Sequence, residues 1–179
     1  HTDEVYRIPA HLRSGDGGLI YLSLGSLGSE DVGLMQRLVD VMGRTRHRVI
    51  VSKGPLADQI RLHDNMTGEG FLPQPAILPQ VDLVITHGGN NTVQECLAAG
   101  RPMVVIPFGG DQLANAHRVE RLGVGVRMNA ADLSVDAVKS AVVSLADARI
   151  VARSIGLARA LEAYRGVDAA ADAVLGIRP

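Results

Sequence analysis

The chain of 179 residues has a single cysteine, Cys96, which excludes an internal disulfide and any cysteine-rich zinc site. A reducing compartment, the cytoplasm, is the expected location. An excess of positive charge is lacking too. With a net charge of −1 and a pI near 6.6 the chain has no basic field to hold nucleic acid, so no nucleic-acid partner is expected. The one local cluster, Arg44, Arg46, His47 and Arg48, lies between a predicted helix and a predicted strand and reads as a solvated turn. No apolar run reaches the roughly 18 residues of a membrane span, and the first twenty residues lack the basic-then-apolar order of a signal peptide. The chain opens on His1 rather than methionine, which suggests processing or an excerpt from something longer.

Several chemical signatures are missing as well. There is no GxxxxGK[ST] phosphate loop, and "GEG" at 68–70 and "GVG" at 123–125 do not fit a strand-borne GxGxxG with a following acid. No Asp-x-Asp pair is present to carry a divalent metal beside a diphosphate, and no HExxH. ATP hydrolysis, dinucleotide-dependent dehydrogenation and zinc hydrolysis lose ground accordingly. No metal and no other cofactor is expected.

What is present is a core. A hydrophobic content of 46% with mixed charge suits one globular domain of this length. Residues 1–18, "HTDEVYRIPAHLRSGDGG", have no periodicity and read as a linker leading into a domain at 19–179. Short β-rich runs then alternate with helical patterns. Strands are predicted at 19–24, 47–52, 81–86, 102–108 and 123–128. Helices are predicted within 29–43, near 55–63, 90–99 and 111–122, and from about 134 to the end. Nearly all-apolar strands that alternate with helices indicate a doubly wound parallel α/β sheet covered on both faces. Ligands bind such sheets beyond the carboxyl ends of the strands.

Three junctions there are polar or glycine-rich beyond the needs of packing: "GSLGS" (25–29), "HGGNNT" (87–92) and "GGDQ" (109–112). Gly88 and Gly89 allow close backbone approach, and Asn90, Asn91 or Thr92 can cap the helix that follows. Free amides at a helix N-terminus form an anion site without lysine or arginine, and Gly25 and Ser26 could add amides from a neighbouring strand end. His87, Glu95, Asp111 and Gln112 supply further polar groups beside it. Amides for a diphosphate, with carboxylates and amides for ribose and hexose hydroxyls, suit a sugar nucleotide.

The order and spacing of residues 70–128, "GFLPQPAILPQVDLVITHGGNNTVQECLAAGRPMVVIPFGGDQLANAHRVERLGVGVRM", together with "YLSLGS" at 21–26, resemble the donor-binding signature of nucleotide-sugar glycosyltransferases. These are the GT-B enzymes of the UDP-glucuronosyltransferase, plant and antibiotic-glycosylating kind. The resemblance implies a Rossmann-like carboxyl-terminal half of a GT-B enzyme. It implies that Phe71 stacks on the nucleobase with Gln74 nearby, and that His87, Gly88, Gly89, Asn91 and Thr92 meet the diphosphate with Gly25 and Ser26. Glu95 would take the ribose, and Asp111 and Gln112 the sugar hydroxyls. Plant members usually carry tryptophan at the places of Phe71 and Asn90. The shorter segment between Phe71 and His87, and 16 arginines against 2 lysines, point to the bacterial branch.

The partners so implied are a nucleoside-diphosphate sugar and an acceptor-binding domain that carries the general base. The reaction would be an inverting, metal-independent transfer from a UDP- or dTDP-sugar to a small-molecule hydroxyl. A natural donor-binding subunit that docks a separate acceptor-binding protein is an alternative, as are a sugar-nucleotide epimerase and a non-enzymatic interaction module.

Overall fold

The structure, a computed structural model, describes residues 5–25, 31–164 and 166–176. Its frame is a parallel sheet of β1 (Leu19–Ser23), β2 (Arg48–Ser52), β3 (Met66–Glu69), β4 (Leu83–Thr86), β5 (Met103–Val105) and β6 (Gly125–Arg127). These lie in the order β3-β2-β1-β4-β5-β6. Strand order therefore reverses between β1 and β4, whose last residues, Ser23 and Thr86, sit side by side. The crevice beyond these two ends is where such a sheet receives a ligand.

Alternation along β1 explains the two apolar layers. Ile20 and Leu22 point to one face, where α1 (Val32–Gly43) and α5 (Val135–Leu145) bury Leu34, Leu38, Val138 and Leu145. Leu19 and Tyr21 point to the other, covered by α3 (Asn90–Ala98) and α4 (Asp111–Leu122) through Val93, Cys96, Ala116 and Val119. The short α2 (Gln74–Ile77) precedes β4, and α6 (Ala148–Ala163) and α7 (Gly166–Gly176) follow α5. Helix starts are set by local chemistry: Asp31 accepts from the Leu34 amide at 2.9 Å, and Ser134 from that of Ala137 at 3.1 Å. Gly123, at φ +65°, closes α4 in the left-handed conformation.

Two expectations need correction. The predicted helix near 55–63 is only a 3-10 turn, Ala57–Gln59, because Ile60 alone of this stretch is buried and no apolar stripe exists to hold a longer helix. Strand β3, in turn, was not expected. It is an edge strand with Gly68 and Glu69, and Met66 is its one buried residue, so it carries no apolar pattern.

The Arg44–Arg48 cluster is likewise more than a solvated turn. The Arg48 guanidinium donates to the carbonyls of Leu12 at 2.7 Å and Gly17 at 2.8 Å, and His47 Nδ1 accepts from the Gly18 amide at 3.1 Å. These bonds fasten the lead-in to β1, where Leu12 is fully buried. Within residues 5–18, Leu12, Tyr6 and Ile8 pack against the second apolar layer.

Candidate functional site

His87 leaves the end of β4 at the strand-order reversal and is pressed between two glycines. A Cβ at Gly25 would stand 2.5 Å from His87 Cε1, and one at Gly89 would meet Nε2. Residues from the loops after β1 and β4, far apart in sequence, are thereby placed in contact. The ring also lies parallel to Phe108, with centroids 6.4 Å apart at 18°. Burial holds the imidazole below its ordinary pKa, with Asp111 opposing, so it is neutral near pH 7.

The glycines after His87 take up the turn into α3. Gly88, at φ +88°, has no room for a side chain, since a Cβ would come within 2.6 Å of Val105 Cγ1. The helix cap is Gly89, and none of Asn90, Asn91 or Thr92 caps it through a side chain, contrary to expectation. The reason is register: the helix begins at Asn90, so all three fall inside its first turn. Their amides have no acceptor in the preceding helical turn, which leaves the positive end of α3 open.

Two cavities flank this turn. The first, about 270 Å³, is lined by Gly25, Phe71, Gln74, Thr92 and Glu95, over a floor of Tyr21, Ser23 and Ser52. Phe71 is 71% exposed at its rim. Gln74 Nε2 donates to Glu95 Oε2 at 2.7 Å and reaches Thr92 Oγ1 at 3.4 Å, so the amide fixes the carboxylate, whose second oxygen has no partner among the described residues. Burial pushes the Tyr21 phenol up to about 12, against the lowering influence of the Ser23 and Ser52 hydroxyls, so it stays protonated.

The second cavity, about 550 Å³, is lined by Asp111 and Gln112 with Asp31, Leu34, Phe108, Gly109 and Gly110. Gln112 Oε1 accepts from the Phe108 amide at 2.8 Å, which leaves the Gln112 NH2 to donate elsewhere. His87 touches Gly25 of the first cavity and Phe108 of the second, and so stands between them.

Of the residues singled out from sequence, five line the first cavity, two line the second, and His87, Gly88 and Gly89 form the turn between. Asn91 is exposed on the first turn of α3 and lines neither. Ser26 lies outside the described residues. Sequence reasoning missed Tyr21, Ser23 and Ser52, Asp31, Phe108 and the buried Asn115. Polar residues closing the apolar runs of β1 and β2 were the available signal for the two serines. Among the described residues no three His, Cys, Asp or Glu side chains gather as a metal site, and no helix is long and apolar enough to cross a membrane.

A parallel sheet in this order, with its cavities at the strand-order reversal, defines a doubly wound α/β domain of the GT-B carboxyl-terminal type. The family profile described as "UDP-glucoronosyl and UDP-glucosyl transferase" matches residues 7–164, and the chain belongs to that family. It is 29% identical over 161 residues to an uncharacterised UDP-glucosyltransferase of Bacillus subtilis (strain 168), covering 88% of this chain and 40% of the relative. It is 30% identical over 163 residues to the oleandomycin glycosyltransferase of Streptomyces antibioticus, covering 86% and 36%. Among solved structures, the glycotransferase of kitacinnamycin superposes with a TM-score of 0.85 at 32% identity, covering 99% of this chain and 46% of that one. The calicheamicin glycosyltransferase superposes with a TM-score of 0.82 at 25% identity, covering 96% and 45%. The chain spans less than half the length of these relatives and corresponds to their carboxyl-terminal portion.

Proposed function

We propose that this chain is the donor-binding part of an inverting, metal-independent glycosyltransferase that moves a sugar from a UDP-sugar to a hydroxyl of a small, natural-product-like acceptor. The carrying observation is the pair of cavities joined by His87 at the strand-order reversal. A base and ribose fit the first cavity, with Phe71 to stack and the second oxygen of Glu95 to accept from the ribose diol. The sugar fits the second, beside Asp111 and Gln112. The diphosphate then lies across His87 and the open amides of α3.

When an acceptor hydroxyl attacks the anomeric carbon, the bond to the diphosphate oxygen breaks and negative charge grows on that oxygen. The His87 imidazole N–H, the α3 amides and the Thr92 hydroxyl stabilise that charge, and they do so more strongly as it grows. The base that takes the acceptor proton is assigned to an acceptor-binding domain, which residues 5–18 would adjoin. Relatives named for oleandomycin, kitacinnamycin and calicheamicin support an acceptor of that kind.

Isothermal titration of the folded chain with UDP, UDP-glucose and dTDP tests this. Binding of UDP and its sugar is expected, without turnover of any acceptor. Absence of heat with all three at about 1 mM ligand, where a contact worth about 4 kcal/mol would register, overturns the reading.

A further inference from the structure

Asn115 sits one turn into α4 and is buried at 7% exposure. A buried amide is stable only where its hydrogen bonds are made. Its Nδ2 donates to the Gly88 carbonyl at 3.0 Å and reaches Asp111 Oδ2 at 3.4 Å. Both acceptors belong to the site, one in the turn after His87 and one in the lining of the second cavity.

The Gly88 carbonyl needs this partner. The α3 hydrogen-bond ladder starts one residue later, where the Gly89 carbonyl accepts from Val93 at 3.0 Å, so among the described residues the buried Gly88 oxygen has Asn115 as its donor. At its other end the same residue is held by Thr86, whose Oγ1 accepts from the Gly88 amide at 3.3 Å. Gly88, at φ +88°, is thus fixed from β4 on one side and from α4 on the other. Because a trans peptide is planar, a carbonyl fixed toward α4 aims the next N–H, that of Gly89, away from α4. Resting on the donor-binding reading above, we infer that Asn115 is a positioning residue: it sets the aim of the Gly88–Gly89 peptide at the diphosphate and ties it to Asp111, so that phosphate and sugar contacts form as one unit.

The geometry requires a donor at this position. An aspartate in its place would turn an ionised carboxylate toward the Gly88 carbonyl and toward Asp111. Once protonated, the same group could donate again.

The test titrates UDP and UDP-glucose into the wild type, Asn115→Ala and Asn115→Asp from pH 5 to pH 8, with folding checked by circular dichroism. Asn115→Ala is expected to lose about tenfold in UDP affinity, the effect of one hydrogen bond at a buried site, together with any preference for UDP-glucose over UDP. Asn115→Asp is expected to bind worse than the alanine variant at pH 8 and to recover as pH falls, relative to the wild type at each pH. A folded Asn115→Ala with wild-type affinity for both ligands, or an Asn115→Asp that follows the wild-type pH profile, overturns the inference and leaves the donor-binding reading standing. A wild type that binds neither ligand overturns that reading, and this inference with it. If the variants do not fold, the Asn115 side-chain NH2 resonances of the wild type are followed by NMR. They are expected to exchange slowly and to shift more with UDP-glucose than with UDP, and equal or absent shifts count against the role.

Discussion

The contact between His87 and its two glycines makes a quantitative prediction, because the glycines are required for different reasons. Gly89 has φ −59° and ψ 142°, which any residue adopts, so the one obstacle to alanine there is the imidazole. The added Cβ would lie 2.8 Å from His87 Cε1 and closer still to Nε2, whereas unstrained carbon contacts begin near ~3.5 Å. The ring must move by roughly 1 Å, and overpacking of that size costs about 1–3 kcal/mol. Gly25→Ala adds the left-handed backbone at φ +69°, worth a further ~1 kcal/mol or more. Replacing His87 with alanine removes the clash but leaves the backbone term. Gly89→Ala in the His87→Ala background is therefore expected to be neutral or slightly stabilising, since alanine restricts the unfolded chain by about 0.4–1 kcal/mol. Gly25→Ala keeps a cost of about 1 kcal/mol in that background. Urea unfolding of the six proteins reads this directly, and each kcal/mol corresponds to a shift in Tm of about 2–4 °C for a chain of this size. UDP titration separates stability from function, because the double variant regains stability but no binding. Equal costs of Gly89→Ala with and without His87 would refute the argument that the imidazole sets this glycine.

Further outcomes concern His87 and the first cavity. Burial lowers the His87 pKa in the free protein, so the unfolded chain, titrating near ~6.5, takes the proton first; the stability contribution is full above that pH and falls as pH drops through the lowered folded value. A bound diphosphate reverses the shift, so UDP-glucose, whose own charge is constant over this range, should bind with proton uptake and more tightly as pH falls from 8 to 6. Calorimetry in buffers of different ionisation heat detects the uptake, and its persistence in His87→Gln would count against this assignment. In the first cavity, Glu95→Ala should weaken UDP by roughly 10–100-fold, as expected for hydrogen bonds to a charged acceptor, and dideoxy-UDP far less. Gln74→Ala, which only releases Glu95, should cost roughly 3–10-fold, and equal loss for both nucleotides would contradict a ribose role.

Much of the fold was legible because its signals are local. Apolar runs such as "LIYLS" and "LVIT" become buried parallel strands, and the stripe Leu34, Met35, Leu38, Val39 and Met42 becomes one face of α1. The segment 55–69 was not legible, since an edge strand and a 3-10 turn bury too little to leave a pattern. Arg48 and Asn115 were invisible for a related reason. A polar side chain is recognised as buried only when its partners are known, and theirs lie 36 and 27 residues away in Leu12 and Gly88.

The doubly wound class, the glycine-rich turns and the kinds of polar group at three strand ends can be read along the chain, because each follows from periodicity or backbone freedom within a few residues. Tertiary structure alone decided the arrangement of those groups. The β3-β2-β1-β4-β5-β6 order sets the loops after β1 and β4 side by side, closes Gly25 on His87, and divides the site into two cavities with the imidazole between them. Strand order is fixed by the packing of both helical layers at once, and no single stretch of sequence carries it.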